Sequence, residues 1–237
     1  MPVARGQNCL MVEIEILKET LENMISSTGD KFNGLISSIK AQIFDIEHSP
    51  DISSEECRSL SAFYYDELER YIDEMYISRN KLVICIYSIC EATLANICQH
   101  FNYKLAFEPT TEERDTQSTE LNVDRSHSTF RKKPNYYLKD YLYTIDSAYK
   151  TNNEDAYIVS TAIRELRNYL IHSKPDQFQA QKIKEDLNDK GITSITQLNG
   201  QIIITEVESL NKILYHCYNM LVHAAQTAIN KTKITNK

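Results

Sequence analysis

The sequence predicts an all-α antiparallel helical bundle with one short β-hairpin, and three observations predict it. Glycine and proline are scarce, five of each in 237 residues, and a chain poor in breakers and rich in Leu, Ile, Glu and Lys favours helix. Apolar residues recur at spacings of three and four through most of the chain. The departure lies near residues 192–205, where Asn199-Gly200 separates two short apolar runs, the two-residue signal of a hairpin.

Taken in order, residues 9–25 place Leu10, Ile14, Leu17, Leu21, Met24 and Ile25 on one helical stripe. Asp30 reads as the N-cap of a second helix over 31–46, with Phe32, Leu35, Ile36, Ile39, Ile43 and Ile46 inward and His48-Ser49-Pro50 closing it. Residues 1–50 are therefore expected to form a helical hairpin, an extension that packs on the body or reaches a partner. Ser53-Ser54-Glu55-Glu56 reads as the next helix start, and no proline or glycine follows before Phe101. One very long helix, or two joined near Ser78-Arg79-Asn80, both fit. Residues 81–101 are apolar on nearly all sides, which suits the middle of a bundle. Glu91 lies among them, and a carboxylate there needs a partner.

The bundle domain is expected to span 51–231, with a flexible insert at 108–134 where Thr, Ser and charged residues dominate. The insert ends in a basic cluster that includes Arg131, Lys132 and Lys133, followed by Tyr136, Tyr137, Tyr141 and Tyr143. Basic and aromatic groups together can grip phosphates and stack on bases; solvated loop charge and packing tyrosines are the commoner explanation of such residues. Helices follow over 136–149 and 154–171, joined by Thr151-Asn152-Asn153, and Ser173-Lys174-Pro175-Asp176 ends the second. Another helix is expected over 176–188. After the hairpin, residues 206–230 close the fold, with Leu210, Ile213, Leu214, Cys217, Leu221, Ala224 and Ala228 inward. A frayed basic tail occupies 232–237.

The totals exclude some functions. A net charge of −7 argues against coating nucleic acid by bulk electrostatics, because counterion release needs a basic surface. Any nucleic-acid contact must be local. Of six cysteines, Cys85, Cys90 and Cys98 share one apolar segment with His100, at spacings unlike those of a zinc site. The N-terminus lacks the apolar core of a signal peptide. The expectation is reduced, buried thiols in a cytoplasmic protein with no metal or other cofactor. The longest apolar run, residues 82–90, is far shorter than the ~20 residues of a membrane span, so no membrane partner is expected.

The chemistry-bearing stretch is Arg167-Asn168-Tyr169-Leu170-Ile171-His172. A helix turns about 100° per residue, so Val159, Ile163 and Leu170 fall within roughly 60° of Leu166 and form a core stripe. Arg164, Asn168 and His172 lie at about 160° to 240°, the side expected to face outward. The motif, an Arg and a His separated by four residues with a polar residue after the Arg, resembles the HEPN superfamily of small helical-bundle proteins. The resemblance covers roughly residue 78 to the last helix, and Glu91 in an earlier apolar helix agrees with it.

Histidine exchanges protons near neutral pH, and arginine offers a charged fork for phosphate oxygens. Together they can cleave RNA without metal, because the 2′-hydroxyl attacks the adjacent phosphorus and leaves a cyclic phosphate; DNA lacks that group. On a regular helix Arg167 and His172 are turned about 140° apart and separated by about 7.5 Å of rise. One copy makes a poor pocket. Two copies across a two-fold axis can bring both pairs to one phosphate, with Ile171 in the contact.

The resemblance implies the same arrangement, since HEPN ribonucleases look like homodimers with a composite site. It assigns His172 as general acid or base, Arg167 as phosphate ligand and Asn168 as a hydrogen-bonding aid, with Glu91, Tyr169 and Arg164 in support. It implies a toxin or antiviral effector acting on RNA, with an antitoxin or regulatory protein as a further partner. Two other readings remain open: a non-catalytic HEPN-like module that binds RNA, a nucleotide or a protein, and a helical scaffold. An Arg and a His near a helix end also serve terminal carbonyls or surface acids.

Overall fold

The computed structural model describes residues 2–103, 138–172, 177–198 and 201–235. Among them are seven helices and one two-stranded antiparallel sheet, so the helical class and the hairpin expected from the sequence are both present. The 108–134 insert, Arg131, Lys132 and Lys133, the Asn199-Gly200 turn and the last two residues lie outside the described residues.

Helix α1 runs without interruption over Pro2–Glu47, which corrects the expected pair of helices over 9–25 and 31–46. Ser26-Ser27-Thr28-Gly29-Asp30 has the local chemistry of a turn, but its side chains bond within the helix. Thr28 Oγ1 donates to the Met24 carbonyl at 2.8 Å and Ser26 Oγ to Asp30 at 3.4 Å. Such back-bonding satisfies these polar groups without ending the helix. Gly29 costs a helix about 1 kcal/mol relative to alanine. Here the absent side chain is used: a Cβ at Gly29 would meet Val207 Cγ2 at 3.3 Å. Close approach of a distant helix therefore overrides the local signal, and Asp30 is an exposed mid-helix residue rather than a cap.

Helix α2, Ser54–His100, starts where the sequence indicated. Ser53 has extended backbone angles, its hydroxyl accepts from the Glu56 N–H at 3.3 Å, and its own N–H donates to Glu56 Oε2 at 3.3 Å. This is a complete capping box. No joint forms near Ser78-Arg79-Asn80, and the helix ends at His100 with Phe101 as its cap; Asn102, with a φ of 55°, lets the Tyr103 N–H reach back to the Cys98 carbonyl at 2.9 Å. By length and composition α2 is long and apolar enough to cross a membrane, which the 82–90 run alone did not indicate, because its apolar character is spread among small residues. That stretch is the middle of the bundle: Leu82, Val83, Ile86, Tyr87, Cys90, Leu94 and Ile97 are all buried.

The remaining helices are α3 (Leu138–Ile145), α4 (Tyr149–Asn152), α5 (Glu154–His172), α6 (Gln177–Asn188) and α7 (Val207–Thr235). The single helix expected over 136–149 is divided at Asp146, whose carboxylate accepts the Ala148 N–H at 3.0 Å. Helix α7 continues five residues beyond the expected end at 230, with Thr232 bonding back to the Ala228 carbonyl at 2.7 Å; residues 232–235, expected to fray, are helical.

Strands β1 (Ile195–Leu198) and β2 (Gln201–Ile204) pair from Ile195 with Ile204 to Leu198 with Gln201, a two-residue connection. The hairpin is fastened to α2 by side chains. Arg79 donates to the carbonyls of Ile204 and Thr205, and Asn80 Nδ2 donates to the Ile202 carbonyl at 3.0 Å.

Helix α7 begins beside Gly29 and runs back along α1, where Tyr218 donates to Glu15. The first half of α1, the second half of α2, α5, α6 and α7 share one core, in which Ile14, Leu21, Leu94, Leu166, Ile183 and Ala225 are buried. Beyond Gly29 and before Arg79, α1 and α2 continue as an antiparallel pair whose buried apolar residues, Phe32, Ile39, Ile43 and Met75, lie outside that core. At 1.5 Å per residue the α1 part of this two-helix arm is about 27 Å long and the α2 part about 37 Å. A helical hairpin is thus present, but α2 supplies its second half; the expected hairpin confined to 1–50 is not what the chain builds.

Candidate functional site

The stripe expected on α5 is where the wheel puts it: Val159, Ile163 and Leu166 are buried against the core. Leu170 is half-buried. Tyr169 joins the core at 6% exposed, so of the residues singled out in the motif it is the one that packs inward. Arg164 and Asn168, expected to face outward, are half-buried. The wheel gives the direction of a side chain but not what stands across from it, and α2 stands close on that side.

Arg167 is held by α2. Its Nη2 lies 3.8 Å from Glu91 Oε2, with the two side chains 25% and 21% exposed. Its Cζ lies 5.5 Å from the centre of the Tyr87 ring. On its own helix, Nη1 donates to Asn168 Oδ1 at 2.8 Å. The guanidinium is therefore oriented by a carboxylate, an amide oxygen and an aromatic face, while its Nε is buried with no hydrogen-bond partner. Arg164 sits on the same seam, its Nη2 3.9 Å from Glu165. Glu91 thus meets the need read from the sequence: a carboxylate within the apolar helix has an arginine partner.

Tyr87 is the residue that sequence reasoning missed. Burial, together with the negative Glu91, pushes its hydroxyl well above the ordinary tyrosine value, and the two arginines oppose that shift. The hydroxyl is buried without a partner. A signal was available, because Tyr87 and Glu91 are four residues apart and so share a helix face.

Chemically, the seam can present a fixed guanidinium to an anion. A half-buried ion pair of this kind is a positioning device more than a source of stability, since desolvation offsets much of the attraction. His172 is the last residue of α5, about 7.5 Å of helical rise from Arg167; its side chain lies outside the described parts of the structure. Ile171, proposed from the sequence as an interface residue, is 41% exposed. Comparison of the chain with models of known families, with curated proteins and with solved structures finds no match.

Proposed function

We propose that the chain is a metal-independent endoribonuclease of the HEPN type, with Arg167 binding the scissile phosphate and His172 exchanging the proton of the 2′-hydroxyl. The observation that carries the proposal is the orientation of Arg167 by Glu91, Asn168 and Tyr87 in the last turns of α5. A preorganised cation stabilises charge that builds on phosphorus without reorganising during the reaction. On a regular helix Arg167 and His172 are turned about 140° apart, so the reaction requires two copies, and exposed Ile171 supports a contact there. A toxin or antiviral role, held in check by an antitoxin or regulatory protein, follows from the same reading.

The purified chain should cut single-stranded RNA in EDTA, and His172→Ala should reduce the rate at least 100-fold while leaving the circular dichroism spectrum unchanged. Cleavage at the original rate by that variant removes the proposal. Light scattering at micromolar concentration should show a dimer, and Ile171→Asp should produce monomers that cut RNA at least tenfold more slowly.

One observation favours the alternative, a non-catalytic module that binds RNA, a nucleotide or a protein: the charge of Arg167 is already matched by Glu91. That reading expects RNA binding without cleavage, lost when Arg131, Lys132 and Lys133 are replaced by glutamine.

A further inference from the structure

The outer face of α2 along the arm is not used by the seam. Leu60, Phe63 and Ile77 are 42%, 57% and 52% exposed. Their spacing places them within an arc of about 100° and along about 25 Å of helix. Leu60 and Phe63 form an i, i+3 pair and Ile77 a separate anchor, with Glu67, Arg70 and Glu74 between them on the same arc; exposed apolar anchors rimmed by charge mark a protein-docking surface. Asp66, Asp73 and Glu74 are exposed on the same side, and no described cation lies within ion-pair distance of them; Glu67 beside them is matched by Arg70 at 2.8 Å.

Charge identifies the occupant. Residues 30–76 hold eleven acidic and four basic residues, a net charge of −7, and the rest of the chain has twenty-two of each. The arm therefore carries the whole imbalance of the protein. A second copy would set one acidic arm against another, and RNA or an anionic bilayer would be repelled. We propose that the outer face of α2 docks a basic amphipathic helix of a protein partner, its apolar stripe on Leu60, Phe63 and Ile77 and its Lys or Arg side chains on Asp66, Asp73 and Glu74. The inference is independent of the nuclease reading.

The test uses the full chain and a labelled amphipathic peptide of Leu and Lys, about 18 residues long to match the span from Leu60 to Ile77, followed by fluorescence anisotropy. Binding is expected, weakened at least tenfold by the double variant Phe63→Ala, Ile77→Ala. The triple variant Asp66→Asn, Asp73→Asn, Glu74→Gln should also weaken it and flatten its salt dependence. Ile16→Ala, which trims an exposed apolar side chain on α1 outside the arm, should leave the affinity unchanged. No binding, or equal affinity for the Phe63 and Ile77 double variant, overturns the proposal. Equal binding of a lysine peptide with no apolar stripe overturns it too, because charge alone would then suffice. Self-association abolished by the double variant, or binding of anionic vesicles by the same face, would assign the surface to a different occupant and equally defeat it.

Discussion

The body and the arm are built from the same two helices, and they differ in whether a third helix joins them. In the body, α7 lies against both α1 and α2, and α2 is buried through Leu82, Val83, Ile86, Tyr87, Cys90 and Leu94. In the arm, among the described residues, each long helix packs on the other alone, and burial narrows to Phe32, Ile39 and Ile43 on α1 and Ser61 and Met75 on α2. The lesson is that breadth of burial follows the number of neighbours rather than helix length. The surface left over on the arm is filled largely with acids. The two regions also differ in what they expose: the oriented, half-buried Arg167 lies at the edge of the body's core, and the exposed Leu60, Phe63 and Ile77 lie on the arm.

The sharpest way to break this contrast is to truncate one core residue in each region. Leu166→Ala in the body should cost about 2–5 kcal/mol by urea denaturation, the usual range for a fully buried leucine. Ile39→Ala in the arm should fall at or below the bottom of that range, since its surroundings can close on the gap. Equal losses would mean that arm and body unfold as one unit with similar packing. A smaller effect comes from Glu91→Gln, which keeps the shape but removes the charge facing Arg167. Stability should change by about 1 kcal/mol or less, because what is lost in attraction is partly regained in desolvation. RNA affinity should nevertheless change at least threefold in a filter-binding assay, since the arginine loses its anchor. An unchanged affinity would separate the seam from any nucleic-acid role.

Smaller still is Ser53→Ala at the tip of the arm, about 1 kcal/mol for the lost cap. It should appear in hydrogen exchange as faster opening of the first turns of α2, with exchange in the body unaltered. Acid should have a related and weaker effect. The Ser53 hydroxyl and N–H hold the Glu56 carboxyl below the ordinary glutamate value. A lowered acid contributes stability that is complete at neutral pH and fades as pH falls through its folded value. Protection at the tip should therefore decline on acidification below the ordinary glutamate value, and Glu56→Gln should remove that pH dependence.

What the sequence revealed follows the range of the physics involved. The start of α2 is a local matter of Ser53 and Glu56, and it was legible. So was the inward stripe of α5, which depends on period alone, and the hairpin, which depends on a two-residue turn. The continuity of α1 was not, because Ser26 to Asp30 resemble a turn until Val207 comes within 3.3 Å of a Cβ at Gly29. The arm was illegible for the same reason: only the arrival of α7 decides which halves of α1 and α2 stand alone. At the candidate site the motif and the partner acid were readable. The half-burial of Arg164 and Asn168, and the Tyr87 ring under Arg167, depend on how closely α2 approaches α5.

Arg79 stands on α2 at the point where the arm enters the body, with its guanidinium on the carbonyls of Ile204 and Thr205 just ahead of α7. A stiff rod clamped near one end behaves as a lever. Any force that tilts the tip must either slip those bonds or drag the first turn of α7 with it, so the geometry couples an event at the tip mechanically to the interior about 39 Å away along α2.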